Sequence, residues 1–336
     1  MKDVLLIIGD THFGARNNSM TWLKHQKAGF EEIINYIQTN AAEFNRLTVV
    51  HVGDLFDSRS AINPMIWRGV EELLNKMDEV LSGIPGRMYI IGGNHDYYYP
   101  WESNNNFTSI KMLPKFNNIE IVVDKAVIDP NIGALLIPWF VFHNKRMLRD
   151  AIKHLSHPTD IIITHTDPFH MDPEIQSIIK GHCLITGHIH QPKDEWEEDG
   201  LLVTGATYPI DFTDTNSQRG FWTLVDSDDL TFHPIHSSIH FHTINEDELE
   251  NWKDLGIQED DYVEILIKQS HVDDHKKTIK ELTDNFGAIL TPIVESEHIL
   301  FESTDILNVD TVCKRMLPEK LKGIYQKLVD ACKKKE

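Results

Sequence analysis

Residues 88–96 read MYIIGGNHD, and this short stretch decides how the fold is interpreted. The apolar run Met88–Ile91 has the composition and length of a buried strand. It stops at two glycines, which are followed at once by Asn94, His95 and Asp96. A turn uses glycine and asparagine, but it does not also need a histidine and an aspartate. The three polar side chains therefore indicate a site at the strand end that binds a metal or moves a proton.

The same pattern follows four other apolar runs of the chain. Each of these runs predicts a buried strand, and each is followed by aspartate or histidine, usually after a glycine. In chain order the five motifs are GDTH at 9–12, GDLFD at 53–57, GGNHD at 92–96, TH at 164–165 and GHIH at 187–190. One such motif alone is more often a solvated turn, but five at strand ends are not expected by chance. Because ligands bind outside the carboxyl ends of strands in an open α/β sheet, we predict that the motifs converge.

The residue types at these strand ends indicate which ligand would bind. Carboxylates, imidazoles and one amide, without a thiolate, suit hard or borderline divalent cations such as manganese, iron or zinc. There are too many donors for one ion, so we predict two divalent metal ions per chain, roughly 3.5–4 Å apart. One ion would be held by Asp10, His12 and His190, and the other by Asn94, His165 and His188, with Asp54 as the bridging ligand.

Apolar runs alternate with segments of helical periodicity, which predicts an α/β fold. Helices are predicted at 21–40, from a cap at Asn63 to about 81, and at 145–154. Strands are predicted at 3–8, 47–52, 88–91, 119–123, 134–137, 161–164 and 184–186. After about Asn245 the composition shifts, and a strand, a helix, two strands and a helical C-terminus follow. We therefore predict two domains, residues 1–245 and a small α/β domain of residues 246–336.

Composition limits the classes of protein to consider. The net charge of −20 taken alone argues against a polyanionic partner, unless some carboxylates hold cations that invert the local charge. The three cysteines form no disulfide or zinc pattern and suit a reducing cytosol. The apolar run at 4–8 is too short for a signal peptide, and no run approaches the roughly 20 residues of a membrane span. We therefore expect a cytoplasmic location and no membrane partner.

The five motifs, in this order, resemble the signature of the calcineurin-like metallophosphoesterases over residues 1–225. The IPW at 137–139, the segment GATYPIDFTDTNSQRGFW at 205–222 and the small C-terminal domain resemble the SbcD-type DNA double-strand-break repair nuclease subunit, in particular its bacteriophage recombination version. The resemblance implies a four-layer β-sandwich flanked by helices, with the C-terminal domain as a small α/β capping domain. If the chain is of phage origin, its location would be the host cytoplasm.

The same resemblance implies a function for this site. It implies a manganese-dependent nuclease with 3′-to-5′ exonuclease activity on duplex ends and endonuclease activity on single strands, acting in recombination and double-strand-break repair. His95 would protonate the leaving oxygen, and Asp57 would orient His95, with Asp96 as the alternative partner or a turn cap. The family also implies a homodimer and an SMC-like ABC ATPase partner.

Three arginines near the motifs, Arg16, Arg59 and Arg219, are candidates for contacts with DNA phosphates. The aromatic run at 97–101 is expected to be partly buried, with base stacking or a dimer contact as alternatives. The basic stretch from Val312 would pack on the small domain or dock on the ATPase. Two other functions stay open: a phosphomonoesterase, protein phosphatase or cyclic phosphodiesterase of the same superfamily, and a non-catalytic scaffold that binds DNA ends.

Overall fold

The computed structural model describes residues 1–98, 108–153, 155, 160–214, 218–226, 229–236, 239–258, 261–286 and 289–293. Its helices are α1 (Ala15–Asn18), α2 (Met20–Asn40), α3 (Pro64–Ser82), α4 (Trp139–His143), α5 (Lys145–Ile152), α6 (Pro173–Ile179), α7 (Trp196–Asp199) and α8 (Lys276–Phe286). Its strands are β1 (Lys2–Ile8), β2 (Phe44–His51), β3 (Gly86–Ile91), β4 (Ile119–Val122), β5 (Val127–Asp129), β6 (Ala134–Leu136), β7 (Ile161–His165), β8 (Cys183–Gly187), β9 (Lys193–Glu195), β10 (Leu201–Val203), β11 (Gly220–Val225), β12 (Asp229–Pro234), β13 (Phe241–Asn245), β14 (Tyr262–Lys268) and β15 (Ile289–Ile293).

Two six-stranded sheets form the centre of the fold. Their strand orders are β12-β11-β1-β2-β3-β4 and β5-β6-β7-β8-β10-β9. Strands β1 to β4 are parallel to one another, and so are β6, β7, β8 and β10. The strands that precede the five motifs are β1, β2 and β3 of the first sheet and β7 and β8 of the second. In each sheet these strands are neighbours, so their carboxyl ends lie side by side.

The alternation of side chains along β1 shows how the layers pack. Leu5 and Ile7 belong to a buried cluster that also contains Leu136, Ile163 and Ile185 of the second sheet. Val4, Leu6 and Ile8 belong to another cluster, which contains the apolar faces of α2 and α3 and residues of α4 to α6. The two sheets therefore pack face to face with helices on their outer sides, which confirms the predicted four-layer α/β architecture.

The two long helices begin and pack as their sequences predict. The side chain of Asn63 accepts a hydrogen bond from the Met65 N–H at 2.8 Å, and Pro64 is the first residue of α3. Pro is favoured there because the first helical N–H has no partner within the helix. In α2 one face is buried, and it includes Phe30, Ile33 and Ile37. The apolar faces of both helices pack against the first sheet.

The chain after β12 forms a third, three-stranded sheet in the order β13-β14-β15, with helix α8 between β14 and β15. The strand β13 ends at residue 245 and pairs with β14. The chain divides into two compact units, Met1–Leu266 with His275–Thr291, and Ile267–Asp274 with the chain from Pro292. The predicted domain boundary after residue 245 stays a prediction. The predicted strand at 298–301 and the helical C-terminus lie outside the described residues. In the part of the chain that is described, no helix has the length and apolarity needed to cross a membrane.

Candidate metal centre

Side chains from all five motifs meet where the carboxyl ends of the strands of the two sheets come together. Asp10, His12 and His190 form a first group, in which one donor atom from each residue lies within 4.8 Å of the others. Nε2 of His12 and Nε2 of His190 are 3.2 Å apart, and each lies 3.9 Å from Asp10 Oδ2. Asp10 and His12 are buried, and His190 is half-buried. These are the residues predicted to share one cation.

A second group lies beside the first and contains Asn94, His165 and His188. Asn94 Oδ1 lies 2.9 Å from His165 Nε2 and 2.9 Å from His188 Nδ1. Asp54 Oδ2 lies 3.2 Å from His165 Nε2 and 3.7 Å from His12 Nε2. One carboxylate oxygen therefore faces both groups, which is the position expected of a bridging ligand.

The glycines of the motifs leave room for this convergence. A Cβ on Gly93 would overlap the carboxylate and the backbone nitrogen of Asp54. Gly53 has a φ of +122°, and a Cβ there would lie 2.5 Å from His165 Nδ1. Both positions therefore require a residue without a side chain.

Three of the converging residues have a left-handed backbone. The φ angles are 42° at His12, 52° at Asp54 and 76° at His188. Non-glycine residues seldom adopt this conformation, because it costs free energy and persists only where the surrounding structure enforces it. Such residues are concentrated at functional sites. Sequence patterns gave no sign of this strain.

Buried charges shift the pKa values of several groups in this cluster. Burial lowers the pKa of the His165 imidazole, but the carboxylates of Asp54 and Asp10 outweigh burial and raise that pKa to about 9. Burial raises the pKa of the Asp54 carboxyl, but His165 and His12 hold it well below its usual range. The carboxylates of Asp54 and Asp10 therefore favour positive charge at this position, which a bound cation would supply in place of the imidazole proton.

The predicted catalytic pair lies at the edge of these groups. His95 Nδ1 lies 2.5 Å from the backbone carbonyl oxygen of Asp57. The carboxylate of Asp57 instead lies 3.4 Å from His12 Nδ1. Asp57 therefore contacts His95 through the main chain, and its role in orienting His95 stays a prediction. Asp57, His12 and His95 also form a third group of donors within 4.8 Å.

Comparison with known proteins decides the family. The model of the calcineurin-like phosphoesterases matches residues 4–192, which is more than half of the chain. The chain belongs to this family. Membership makes it a hydrolase of phosphoesters that binds divalent metals, and the matched range contains all seven predicted metal ligands.

Two individual proteins are similar to this phosphoesterase. The DNA double-strand break repair protein Mre11 of Nanoarchaeum equitans (strain Kin4-M) is 23% identical, and the match covers 94% of this chain and 92% of that protein. A crystal structure of the Pseudomonas putida nuclease MPE matches 66% of this chain and 84% of that one, with 16% identity and a TM-score of 0.31.

The donors of the phosphoesterase fit divalent cations. Asp10 and Asp54 are buried carboxylates, and within the described ranges no lysine or arginine forms an ion pair with either. His165 Nδ1 lies 3.2 Å from the Val52 carbonyl oxygen, which would hold the proton on Nδ1 and leave the Nε2 lone pair for a metal. Nitrogen and oxygen donors without sulfur suit borderline or hard ions, and the residues do not select one metal among them.

Two further residues of the phosphoesterase support the motif loops. The Asp96 carboxylate accepts a hydrogen bond from the Gly93 N–H at 2.9 Å and lies 3.4 Å from the backbone nitrogens of Leu55 and Phe56. It therefore caps two motif loops, which was one of its two predicted roles. His51 was not predicted; it is fully buried, and its Nε2 lies 2.9 Å from Thr11 Oγ1. The sequence did contain a signal for His51, because it is a polar residue at the end of the apolar strand β2.

The three arginines predicted to contact DNA have different surroundings in the phosphoesterase. Arg219 is 2% exposed and forms an ion pair with Asp214, so the prediction that it binds DNA is corrected. Arg16 donates to the Ile210 carbonyl at 2.9 Å, and its guanidinium lies 5.2 Å from the centre of the Phe241 ring. Arg59 is exposed and has no ion pair among the described residues. Arg16 and Arg59 are both exposed, and their contacts with DNA stay predictions.

Proposed function

We propose that this phosphoesterase is a manganese-dependent DNA nuclease, a 3′-to-5′ exonuclease on duplex ends and an endonuclease on single strands, that acts in recombination and double-strand-break repair. The observation that carries the choice of DNA is the extent of the similarity to Mre11, which covers nearly the whole of both chains and continues well beyond the residues of the family model. The acidic net charge is compatible with DNA if two divalent cations neutralise the carboxylates of the site.

The proposed ligands follow the two donor groups. Asp10, His12 and His190 would hold one cation, Asn94, His165 and His188 the other, and Asp54 would bridge them. When bound, such a pair of ions supplies charge neutralisation at the phosphate oxygens and an activated water. The buried strand ends would keep the donors in place, because each donor lies at the end of a strand or on the short loop that follows it.

His95 would supply the proton that hydrolysis requires. Hydrolysis joins a water oxygen to phosphorus and breaks the bond to the leaving oxygen, which then needs a proton. In the imidazolium form of His95, Nδ1–H would donate to the Asp57 carbonyl and Nε2–H would face the leaving oxygen. The carbonyl contact would thus fix the ring so that Nε2 is the acid.

The test compares wild-type protein with His95→Ala in the presence of manganese. Labelled single-stranded DNA, blunt duplex DNA and p-nitrophenyl phosphate are the substrates, and metal content is measured in parallel. We expect manganese-dependent DNA cleavage that falls by roughly 10²- to 10⁴-fold in His95→Ala, with two metals retained. The control is His236→Ala, because His236 is exposed and its hydrogen bonds to Glu32, among the described residues, use the backbone N–H.

Other outcomes of this test would overturn the proposal. Turnover of p-nitrophenyl phosphate alone would leave a phosphoesterase that is not a nuclease. DNA binding without cleavage, even after an ATPase partner is added, would indicate the non-catalytic scaffold.

The proposed assembly is a homodimer that works with an SMC-like ABC ATPase. Light scattering of the purified chain would test the dimer, and co-purification with the ATPase would test the partner. The basic stretch from Val312 that was considered as a docking segment lies outside the described residues.

A further inference from the structure

Helix α2 carries a polar side chain in the middle of its buried apolar face. Gln26 is only 1% exposed, and it lies four positions from Trp22 and four from Phe30, which are buried on the same face of the helix. A polar side chain in such a position costs free energy unless its hydrogen bonds are satisfied. An apolar residue would pack there without that cost, so we infer that the amide serves a structure outside the helix.

The amide of Gln26 forms its hydrogen bonds with the loop that follows β1. Its Nε2 donates to the Thr11 carbonyl at 2.8 Å and to the His12 carbonyl at 2.9 Å. Its Oε1 accepts from the Gly14 N–H at 3.4 Å. The opposite orientation of the amide would set its oxygen against two carbonyl oxygens, so the network fixes which end of the amide faces the loop. One side chain therefore ties the GDTH motif to α2.

The loop needs this support because its backbone is strained. The φ angle is 42° at His12 and 94° at Gly14, and both values are left-handed. A residue other than glycine stays in this conformation only where surrounding contacts enforce it. On one side the His12 N–H donates to the Asp54 carbonyl at 3.0 Å, and on the other side Gln26 holds the His12 carbonyl. The two peptide groups that flank the His12 side chain are therefore both fixed.

We propose that Gln26 is a positioning residue for the first cation and acts by fixing His12. The proposal rests on the ligand set proposed above, in which Asp10, His12 and His190 hold that cation. The Nε2 atoms of His12 and His190 are 3.2 Å apart, so a shift of the loop that carries His12 changes the separation of these donors directly. The side-chain hydrogen bonds of Gln26 join it to residues 11–14, which contain no ligand of the second cation. Loss of the amide should therefore weaken the first site and spare the second.

The first test measures manganese binding by titration calorimetry. Gln26→Met nearly keeps the length of the side chain and removes its hydrogen bonds to the loop. We expect the manganese affinity of one of the two sites to fall by roughly 10- to 100-fold, which is typical when the partner that holds a metal ligand is lost. Gln38→Met is the control, because Gln38 is an exposed residue of the same helix and should bind both ions as the wild type does.

A double-mutant cycle then shows whether the effect acts through His12. In an Asn94→Ala background, which lacks a ligand of the second cation, Gln26→Met should lower the remaining manganese affinity by the same factor as in the wild type. In a His12→Ala background it should leave the remaining affinity unchanged, because the donor that the amide holds is gone. A residue that only stabilises the fold would lower the affinity equally in both backgrounds or in neither.

Each outcome of the cycle decides the positioning role. If Gln26→Met does not fold, as judged by circular dichroism, Gln26→Asn takes its place, because its amide is one methylene short of the loop. An equal loss in the two backgrounds, or none, refutes the positioning role and leaves the nuclease in place. If the wild type hydrolyses only p-nitrophenyl phosphate while the loss depends on His12, the nuclease proposal fails and the positioning role stands.

Discussion

The backbone is left-handed at His12, Asp54 and His188, and this conformation costs free energy. Each such residue costs about 1–3 kcal/mol, so the three together cost an amount comparable to the 5–15 kcal/mol net stability of a typical domain. The hydrogen bonds of the surrounding loops offset it. The Asp54 carbonyl accepts from the His12 N–H at 3.0 Å, and the His188 N–H lies 3.1 Å from Asp10 Oδ2. The loops are therefore held by contacts with one another, and a change in one loop is expected to disturb its neighbours.

Gly93→Ala tests this coupling at one residue. The added Cβ would displace the Asp54 carboxylate, so we expect manganese affinity to fall by roughly 10- to 100-fold, measured by titration calorimetry. Gly83→Ala is the control, since Gly83 has a φ of −87° and a Cβ there meets nothing closer than the Val80 carbonyl oxygen at 3.5 Å. Equal manganese affinity in the two variants would contradict the coupling.

Arg219→Met separates a structural ion pair from a DNA contact. Removing one partner of a buried pair leaves an uncompensated charge on Asp214, so we expect the free energy of unfolding to fall by about 3–5 kcal/mol in urea denaturation. The control is Arg68→Met, which breaks the exposed pair with Glu72 and is expected to cost about 0.5 kcal/mol or less. Unchanged stability together with weaker DNA binding would restore the original prediction for Arg219.

At the scale of elements, predictions succeeded where the local sequence determines the structure. The Asn63–Pro64 start of α3 and the apolar runs of β1, β7 and β8 are local signals, and the structure contains these elements. The short helices α4 and α6 and the strands β5 and β9 were not predicted, because segments of 3–7 residues show too little periodicity to identify. Their positions depend on packing between distant parts of the chain.

The connection between β13 and β14 is held by one carboxylate, Asp261. It accepts hydrogen bonds from the backbone N–H groups of His240 at 3.0 Å and Gln258 at 2.9 Å, and it lies 2.9 Å from His242 Nε2. Burial raises the pKa of this carboxyl, but His242 and the two backbone groups outweigh burial and lower the pKa below its ordinary value of 3.8. The ionised carboxylate therefore stabilises the folded state.

Asp261→Asn should show this stabilisation through its pH dependence. A lowered pKa gives a contribution that is fully present above the unfolded value and is lost as the pH falls through the folded value. We expect a loss of about 1.5–3 kcal/mol at pH 7 that shrinks below about pH 4, measured by urea unfolding across pH. The exposed Asp229→Asn is the control. A loss that persisted unchanged to pH 2 would contradict the role of the charge.

At the scale of the whole molecule, the site joins the strand ends of two sheets, and its residues are distant from one another in the sequence. The sequence predicted which residues meet, because each motif marks a strand end and strand ends gather at one edge. It did not predict that the Asp57 carbonyl would contact His95 or that Arg219 would be buried, because these depend on how the loops pack. The residue types of the centre were thus predictable, while individual atoms and burial were not.

Manganese should stabilise the whole fold. Ligands that bind only the folded state add about 2.7 kcal/mol per site at 100 times Kd. We expect the unfolding temperature to rise with manganese concentration and to fall with a chelator. Asp54→Asn should remove most of the manganese-dependent rise. A manganese-dependent rise equal to that of the wild type in Asp54→Asn would contradict a shared ligand.

The contact between the His188 N–H and Asp10 spans 178 residues of sequence, and this distance has a consequence for synthesis. A ribosome adding 5–20 residues per second delivers His188 roughly 10–40 s after Asp10. Until then a nascent chain has the early aspartates and His95 but not the donors that complete either group. A chain cut short before the GHIH motif would therefore lack phosphoesterase activity, because the metal-binding side chains come together only when translation has almost finished the two sheets.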